Sequence, residues 1–221
     1  MPKKSGKRAR RFHDPVPYFA IKRTTQISES HCGPAVIQML LSNLAVETTQ
    51  EAVAAAGGAT ALIELHGMRV DQLALAVCLL APTARFWYKE KAKLEDIVAL
   101  IKDYGYPVGV EWQGYFDGDE EDDEEDEDED DYGHYSVVTQ VDRERQEMIV
   151  VDPYKDYVSR DHILGFDEFE TRWWDYNEVK DERTGRRRLV KDDHLLFIIT
   201  PREENFPTAL GMTPGADCTP E

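Results

Sequence analysis

Thr25–Leu41 reads TQISESHCGPAVIQMLL, a polar segment that becomes apolar immediately after a cysteine. Gly33 and Pro34 follow Cys32, and proline is tolerated in the first turn of a helix because the N–H it lacks would be unpaired there. The spacing of Ala35, Val36, Met39 and Leu40 fits one face of a helix over about 33–43. Cys32 is therefore expected at a helix N-terminus, where unsatisfied N–H groups and the positive dipole end favour an anion such as a thiolate. Gln26 lies six residues upstream, within reach of the same spot. A cysteine so placed is a candidate nucleophile.

Outward from this stretch, helical patterns come first. Thr48 followed by Glu51 has the form of a capping box ahead of EAVAAAGG, which stops at Gly57 and Gly58. Asp71 can cap a helix running to Leu80, and Leu94–Tyr104 repeats at helix period before Gly105. Arg85 opens a short extended segment, RFWYKE. Beyond Gly105 the pattern changes to strands: YPVGVEW from Tyr106, HYSVVTQVD from His134, MIVVDP from Met148 and LLFIIT from Leu195. The short polar turn in VDRERQEMI predicts an antiparallel hairpin. FDEFETRWWDY reads as a helix or an extended connection, with Trp173 and Trp174 expected in core and rim, and EVKDERTGRRR as a charged loop or hairpin tip. Helices first and strands later predict one α+β domain, with nucleophile-bearing helices packed on a C-terminal antiparallel sheet.

The chain has 221 residues, enough for one domain with a substantial core. Its net charge of −18 is unevenly placed. Every residue from Asp117 to Asp131 except Gly118 is acidic, and without these 14 acids the balance is 26 basic against 30 acidic residues. Like charges at that density repel and resist burial, so 117–131 is expected as a disordered insertion. The run lacks the ligand spacing of an EF-hand. Residues 1–14 read as a disordered basic tail whose basic run, 2–11, has no interleaved aromatic platform, and a nucleic-acid partner is not expected. The chain from Glu203 to Glu221 is likewise expected to be disordered, leaving 15–202 as the domain. No run is long enough to span a bilayer and the basic N-terminus has no apolar core behind it, which predicts a cytoplasmic protein. Three cysteines without regular spacing argue against a disulfide framework or a metal site. Cys78 reads as a small buried hydrophobe and Cys218 as an exposed, incidental residue.

Three polar residues fall at element edges: Cys32 at a helix start, His134 opening a strand and Asp152 ending the next. An antiparallel hairpin brings the start of its first strand beside the end of its second, so His134 and Asp152 are expected at one end of the sheet. An imidazole oriented by a carboxylate and facing a thiol is the arrangement of a nucleophilic thiol hydrolase. His31 also adjoins Cys32, but chain neighbours usually point apart, and it reads as local structure or substrate contact.

Gln26, HCGPA around Cys32, GHYSVV around His134 and VVDP around Asp152 together resemble the papain-like cysteine peptidases. The branch they resemble is the bacteriocin-processing peptidases, which remove double-glycine leader peptides. The likeness extends over roughly residues 17–200 and includes YPVGVEW and the F-x-x-x-W spacing of Phe169 and Trp173. It implies Cys32 as nucleophile, His134 as general base and acid, Asp152 as orienter and Gln26 as oxyanion donor, with no metal or organic cofactor. The sequence departs from that branch in two ways: it carries no membrane domain, and the acidic run ends three residues before His134. Negative charge there should favour the imidazolium and attract basic peptides. The expected substrate is thus a peptide or protein, with basic ones favoured. The same triad could serve an acyl or peptidyl transferase, and the same fold a peptide-binding or regulatory module without turnover.

Overall fold

A computed structural model describes residues 21–114, 133–157, 159–180 and 183–218. The expected disorder of 1–14 and of 117–131 concerns chain outside the described residues. The first helix, α1, spans Cys32–Ser42. Thr49 caps α2 (Gln50–Ala56), its hydroxyl accepting from the Ala52 N–H at 3.2 Å. The cap thus falls one residue later than the predicted Thr48, because Thr49 is the residue with extended backbone before the first turn. A one-turn α3 (Ile63–His66) and α4 (Val70–Leu80) follow, and Arg69 rather than Asp71 is the residue preceding α4. The last long helix of this half, α5, spans Leu94–Lys102.

Seven strands form one antiparallel sheet: β1 (Ala84–Lys89), β2 (Val108–Gln113), β3 (Gly133–Asp142), β4 (Glu147–Val151), β5 (His162–Gly165), β8 (Leu196–Pro201) and β9 (Thr213–Pro214). Their order is β5-β4-β3-β2-β8-β1-β9. The ambiguous FDEFETRWWDY splits into a helix, α6 (Phe166–Arg172), and the start of β6 (Trp174–Lys180). The charged segment beyond it is a hairpin, with β6 paired to β7 (Arg187–Asp193) as a separate two-stranded sheet. Trp173 is fully buried and Trp174 half-buried, as core and rim residues should be.

The large sheet divides two apolar cores. Side chains of α1, α2 and α4 fill one face, with Met39, Leu41, Leu73 and Val77 closed to solvent. Ile97 and Ile101 of α5 and Phe169 of α6 fill the other face with Trp112 and Trp173. Burying both faces explains why the strands read as continuous apolar runs instead of alternating. Gly109 of β2 is required by close packing: a Cβ there would lie 2.3 Å from the Phe197 ring.

The chain beyond Glu203 is ordered as far as Cys218, contrary to the expectation from its composition. A 3₁₀ turn at Phe206–Leu210 stacks Phe206 on Tyr104 and Tyr106, with ring centroids 4.1 and 5.3 Å apart. Met212 is buried, and β9 pairs with Trp87 and Tyr88 of β1. These anchors carry Cys218 to α4, where it forms a disulfide with Cys78 at a Cα separation of 5.7 Å. Cys218 is therefore not incidental and Cys78 is not a free buried thiol. The pairing spans 140 residues of sequence, so no local spacing announced it.

Candidate active site

The N-terminus of α1 points at the start of β3. Cys32 is buried at 7% exposure and is the free cysteine among the described residues. Its side chain faces the imidazole of His134, the second residue of β3, closely enough to favour its charged form. On the other side of the ring, His134 Nε2 lies 2.9 Å from Asp152 Oδ1. The predicted trio of Cys32, His134 and Asp152 is thus brought together.

The hairpin alone accounts for the shared end but not the shared face. From Asp142 to Gln140, β3 pairs with β4 in one register, and between Gln140 and Val138 the register shifts by one residue. The extra residue is Thr139, a β-bulge. Val137 opposite Val151 then sets Ser136 against Asp152, so Asp152 shares a face with Ser136 and His134. In the unshifted register Asp152 would lie opposite Val137 and point away from the imidazole.

Asp152 is held on every side. Its Oδ2 accepts from the Ser136 hydroxyl at 2.8 Å, and its Oδ1 accepts from the Tyr154 N–H at 2.7 Å. Ser136 in turn accepts from the Trp112 indole N–H at 3.0 Å. Burial alone would push the Asp152 carboxyl up, but His134, the Tyr154 N–H and the Ser136 hydroxyl hold it below the ordinary carboxylate range. Burial alone would likewise disfavour charge on His134. The Asp152 carboxylate, by charge and by hydrogen bond, and then Cys32, overrule it and lift the imidazole to about 10. The proton therefore rests on the imidazole at neutral pH.

Residues 16–181 match the peptidase C39-like family. The chain belongs to that family. Among curated proteins no sequence matches it. Among solved structures, it is similar to the peptidase domain of Streptococcus ComA, a bi-functional ABC transporter involved in a quorum sensing pathway. That match has a TM-score of 0.51 at 16% identity and covers 81% of this chain and 97% of that domain. A double glycine motif protease from an AMS/PCAT transporter, in complex with its leader peptide, aligns at a TM-score of 0.49 and 16% identity, over 82% of this chain and 91% of the other. At this identity the ComA likeness establishes the papain-like peptidase fold.

In this C39-like chain the Gln26 segment is tied to the site from two sides. Its N–H donates to the Pro153 carbonyl at 2.9 Å, beside Asp152. The buried Gln50 of α2 accepts from the Ile27 N–H at 3.0 Å and donates to the Thr25 carbonyl at 2.8 Å. The Gln26 side-chain amide donates to the Ser28 and Glu29 carbonyls at 2.9 and 3.1 Å, while its buried Oε1 has no hydrogen-bond partner among the described residues. Both amide hydrogens are thus committed to the loop. His31 is local structure: its Nδ1 lies 2.6 Å from the Ser28 hydroxyl, which donates to Glu64. Since that hydroxyl gives its hydrogen to Glu64, His31 Nδ1 is the donor to Ser28.

Three contributors escaped the reading of the sequence. Ser136 stands two residues after His134 and so on the same strand face, a signal that was available. Gln50 acts through backbone groups far away in sequence, for which no pattern exists. Glu111 is a lone carboxylate inside the apolar run YPVGVEW, which marks it as unusual without saying why.

The cleft over Cys32 is a cavity of about 580 Å³. One wall is built from residues 58–72, including Leu62, Leu65 and Gly67, and the other from the β6–β7 hairpin, including Asp175, Asn177 and Leu189. Among the described residues no helix is long and apolar enough to cross a membrane.

Proposed function

We propose that the protein is a cysteine peptidase that cleaves a peptide or amide bond through Cys32, His134 and Asp152. The observation that carries this reading is the imidazole of His134, fixed between the Asp152 carboxylate at 2.9 Å and the Cys32 side chain at the head of α1. The Cys32 thiolate attacks the carbonyl carbon. The oxyanion takes hydrogen bonds from the Cys32 N–H and from Gln26 once that amide turns away from the Ser28 and Glu29 carbonyls. The imidazolium gives its proton to the departing amine as the C–N bond breaks. Water, deprotonated by His134, then hydrolyses the thioester and releases the Cys32 thiolate beside the imidazolium. Asp152 keeps the ring oriented and the positive charge stable throughout.

A second reading has one observation in its favour, the commitment of the Gln26 amide to its own loop: a peptide-binding module that keeps the triad without turnover. The same experiment separates the two readings. The intact chain, and the Cys32→Ala variant as control, are incubated with a peptide library and the products are read by mass spectrometry. Cleavage by the intact chain alone supports the peptidase. Retention of peptides without cleavage by either protein supports the binding module.

A further inference from the structure

We propose that Glu64 of α3 is a positioning residue that, through Ser28 and His31, holds the Gln26 amide on its own loop and away from the Cys32 site. The role of Gln26 as oxyanion donor rests on the peptidase reading. The hold itself stands on the geometry of residues 26–31.

The turn that receives the Gln26 amide is closed by its own backbone, with the His31 N–H donating to the Ser28 carbonyl at 3.2 Å. That carbonyl and its neighbour on Glu29 are the two that take the Gln26 amide hydrogens. While they do, neither hydrogen is free for an oxyanion at Cys32, and the buried Oε1 gains no donor among the described residues. A buried amide oxygen without a donor costs free energy, so the arrangement needs support from outside the turn.

Glu64 supplies it. The Ser28 hydroxyl donates to this carboxylate, with the two acceptor oxygens at 3.1 and 3.0 Å. The same hydroxyl oxygen accepts from His31 Nδ1 at 2.6 Å and from the Ser30 N–H at 3.4 Å. One carboxylate on α3 therefore organises three polar groups of the turn. His31 is 6% exposed, so the inner end of this chain of bonds is shielded from water although Glu64 itself is exposed. A second tie of the turn, Glu29 to Lys155 at 3.7 Å, joins two exposed side chains and holds little. His31 is also the cap residue before Cys32, so the hold reaches from the oxyanion donor to the nucleophile.

The segment that carries Glu64 is a wall of the cleft. Leu62, Leu65 and His66 line the cavity, with Glu29 and Ser30 of the turn beside them. Of the four residues of α3, Ile63 is the buried one. A wall anchored by a single apolar side chain is among the least stable parts of a fold. Glu64 thus ties the oxyanion donor to the part of the cleft that has least to keep it in place.

The test uses the full chain and two reagents that differ in one respect. Acylation by p-nitrophenyl acetate passes through an oxyanion as the Cys32 thiolate displaces p-nitrophenolate and forms a thioester. Alkylation by iodoacetamide displaces iodide without one. The first-turnover release of p-nitrophenolate, less that of Cys32→Ala, is divided by the rate of alkylation. Glu64→Ala should raise this ratio at least about threefold, a modest effect because the carboxylate end of the hold is in water. Glu64→Gln keeps an acceptor for the Ser28 hydroxyl and should stay within about twofold of wild type. In a Gln26→Ala background, Glu64→Ala should leave the ratio unchanged. The ratio is internal to each preparation, so partial unfolding slows both reagents without mimicking the result. A smaller rise, an equal rise in Glu64→Gln, or a rise that persists without the Gln26 amide overturns the hold. If neither reagent modifies Cys32, the peptidase reading falls. Hydrogen exchange of the Gln26 side-chain amide, read by NMR in wild type and Glu64→Ala, then decides the hold by itself: exchange at least about threefold faster in the variant sustains it, and a smaller difference overturns it.

Discussion

Asp152 meets His134 at 2.9 Å because the bulge at Thr139 rotates the end of β4 onto the face of the sheet that carries the imidazole. Both side chains are closed to solvent, so the charge on each depends on the other. The raised imidazole supports folding fully below its ordinary value of about 6.5, and that support is lost as pH rises through about 10. The lowered carboxyl supports folding above its ordinary value, and that support is lost as pH falls through the depressed one. Asp152→Asn removes the larger attraction and leaves burial, which lowers His134, opposed by Cys32. An imidazole titrated by NMR should then fall well below about 10. Alkylation of Cys32 by iodoacetamide at pH 7 should slow by about 10²- to 10⁴-fold. An unmoved imidazole would show that the carboxylate does not set its charge.

Ser136 links the site to the core. Its hydroxyl donates to Asp152 and accepts from the Trp112 indole N–H, and all three groups are buried. Ser136→Ala leaves that N–H without its acceptor and Asp152 without one donor. The expected loss is about 2 kcal/mol, or roughly 4–8 °C in Tm for a domain of this size. The Asp152 carboxyl should also rise, narrowing the acid limb of stability from below. Urea and thermal unfolding at pH 7 and pH 4.5 check both effects, and a variant as stable as wild type at both would remove Ser136 from the account.

The sequence carried the helix start at Cys32, the β3–β4 hairpin and the end of the sheet where His134 and Asp152 meet, because each depends on local chemistry or simple connectivity. The shared face could not be read, because the bulge at Thr139 inserts one residue into a run, SVVTQV, that is buried throughout. With both faces covered, alternation disappears and parity with it. Other causes concealed β5, only four residues long, and left the largely exposed, charged β6–β7 hairpin readable only as a charged loop or hairpin tip. Ordering of 206–218 was hidden because two apolar anchors, Phe206 and Met212, do the work inside a Pro/Gly/Thr composition.

Glu111 should leave its own mark on stability. An acid normally near 4.5 and raised to about 7 in the fold binds more protons folded than unfolded between those values. Stability must therefore fall as pH rises through that window, by up to about 3 kcal/mol, and level off above it. Glu111→Gln removes this slope. The variant is expected to gain on wild type between pH 5 and pH 8 by an amount of that order, read from urea unfolding of both proteins. Comparing the two proteins cancels the other titrating groups, so a constant difference across the window would show that Glu111 is ionised in the fold throughout.

The Cys78–Cys218 bond joins the last described residue of the chain to α4 across 140 residues. Such a bond restricts the unfolded chain strongly, and by loop-entropy estimates its removal destabilises by about 2–4 kcal/mol. Cys218→Ser should lower Tm and expose the bonds around Phe206–Leu210 to limited proteolysis, since β9 then holds β1 by only two residues. The thiol count tests the pairing directly. Protein quenched with an alkylating agent in its native host and then denatured should show one free thiol, from Cys32, and three after reduction. Disulfides of this kind form in oxidising compartments and are rare in the cytosol. One thiol would therefore also tell against the cytoplasmic location expected from the N-terminal sequence, and three thiols before reduction would tell against the bond.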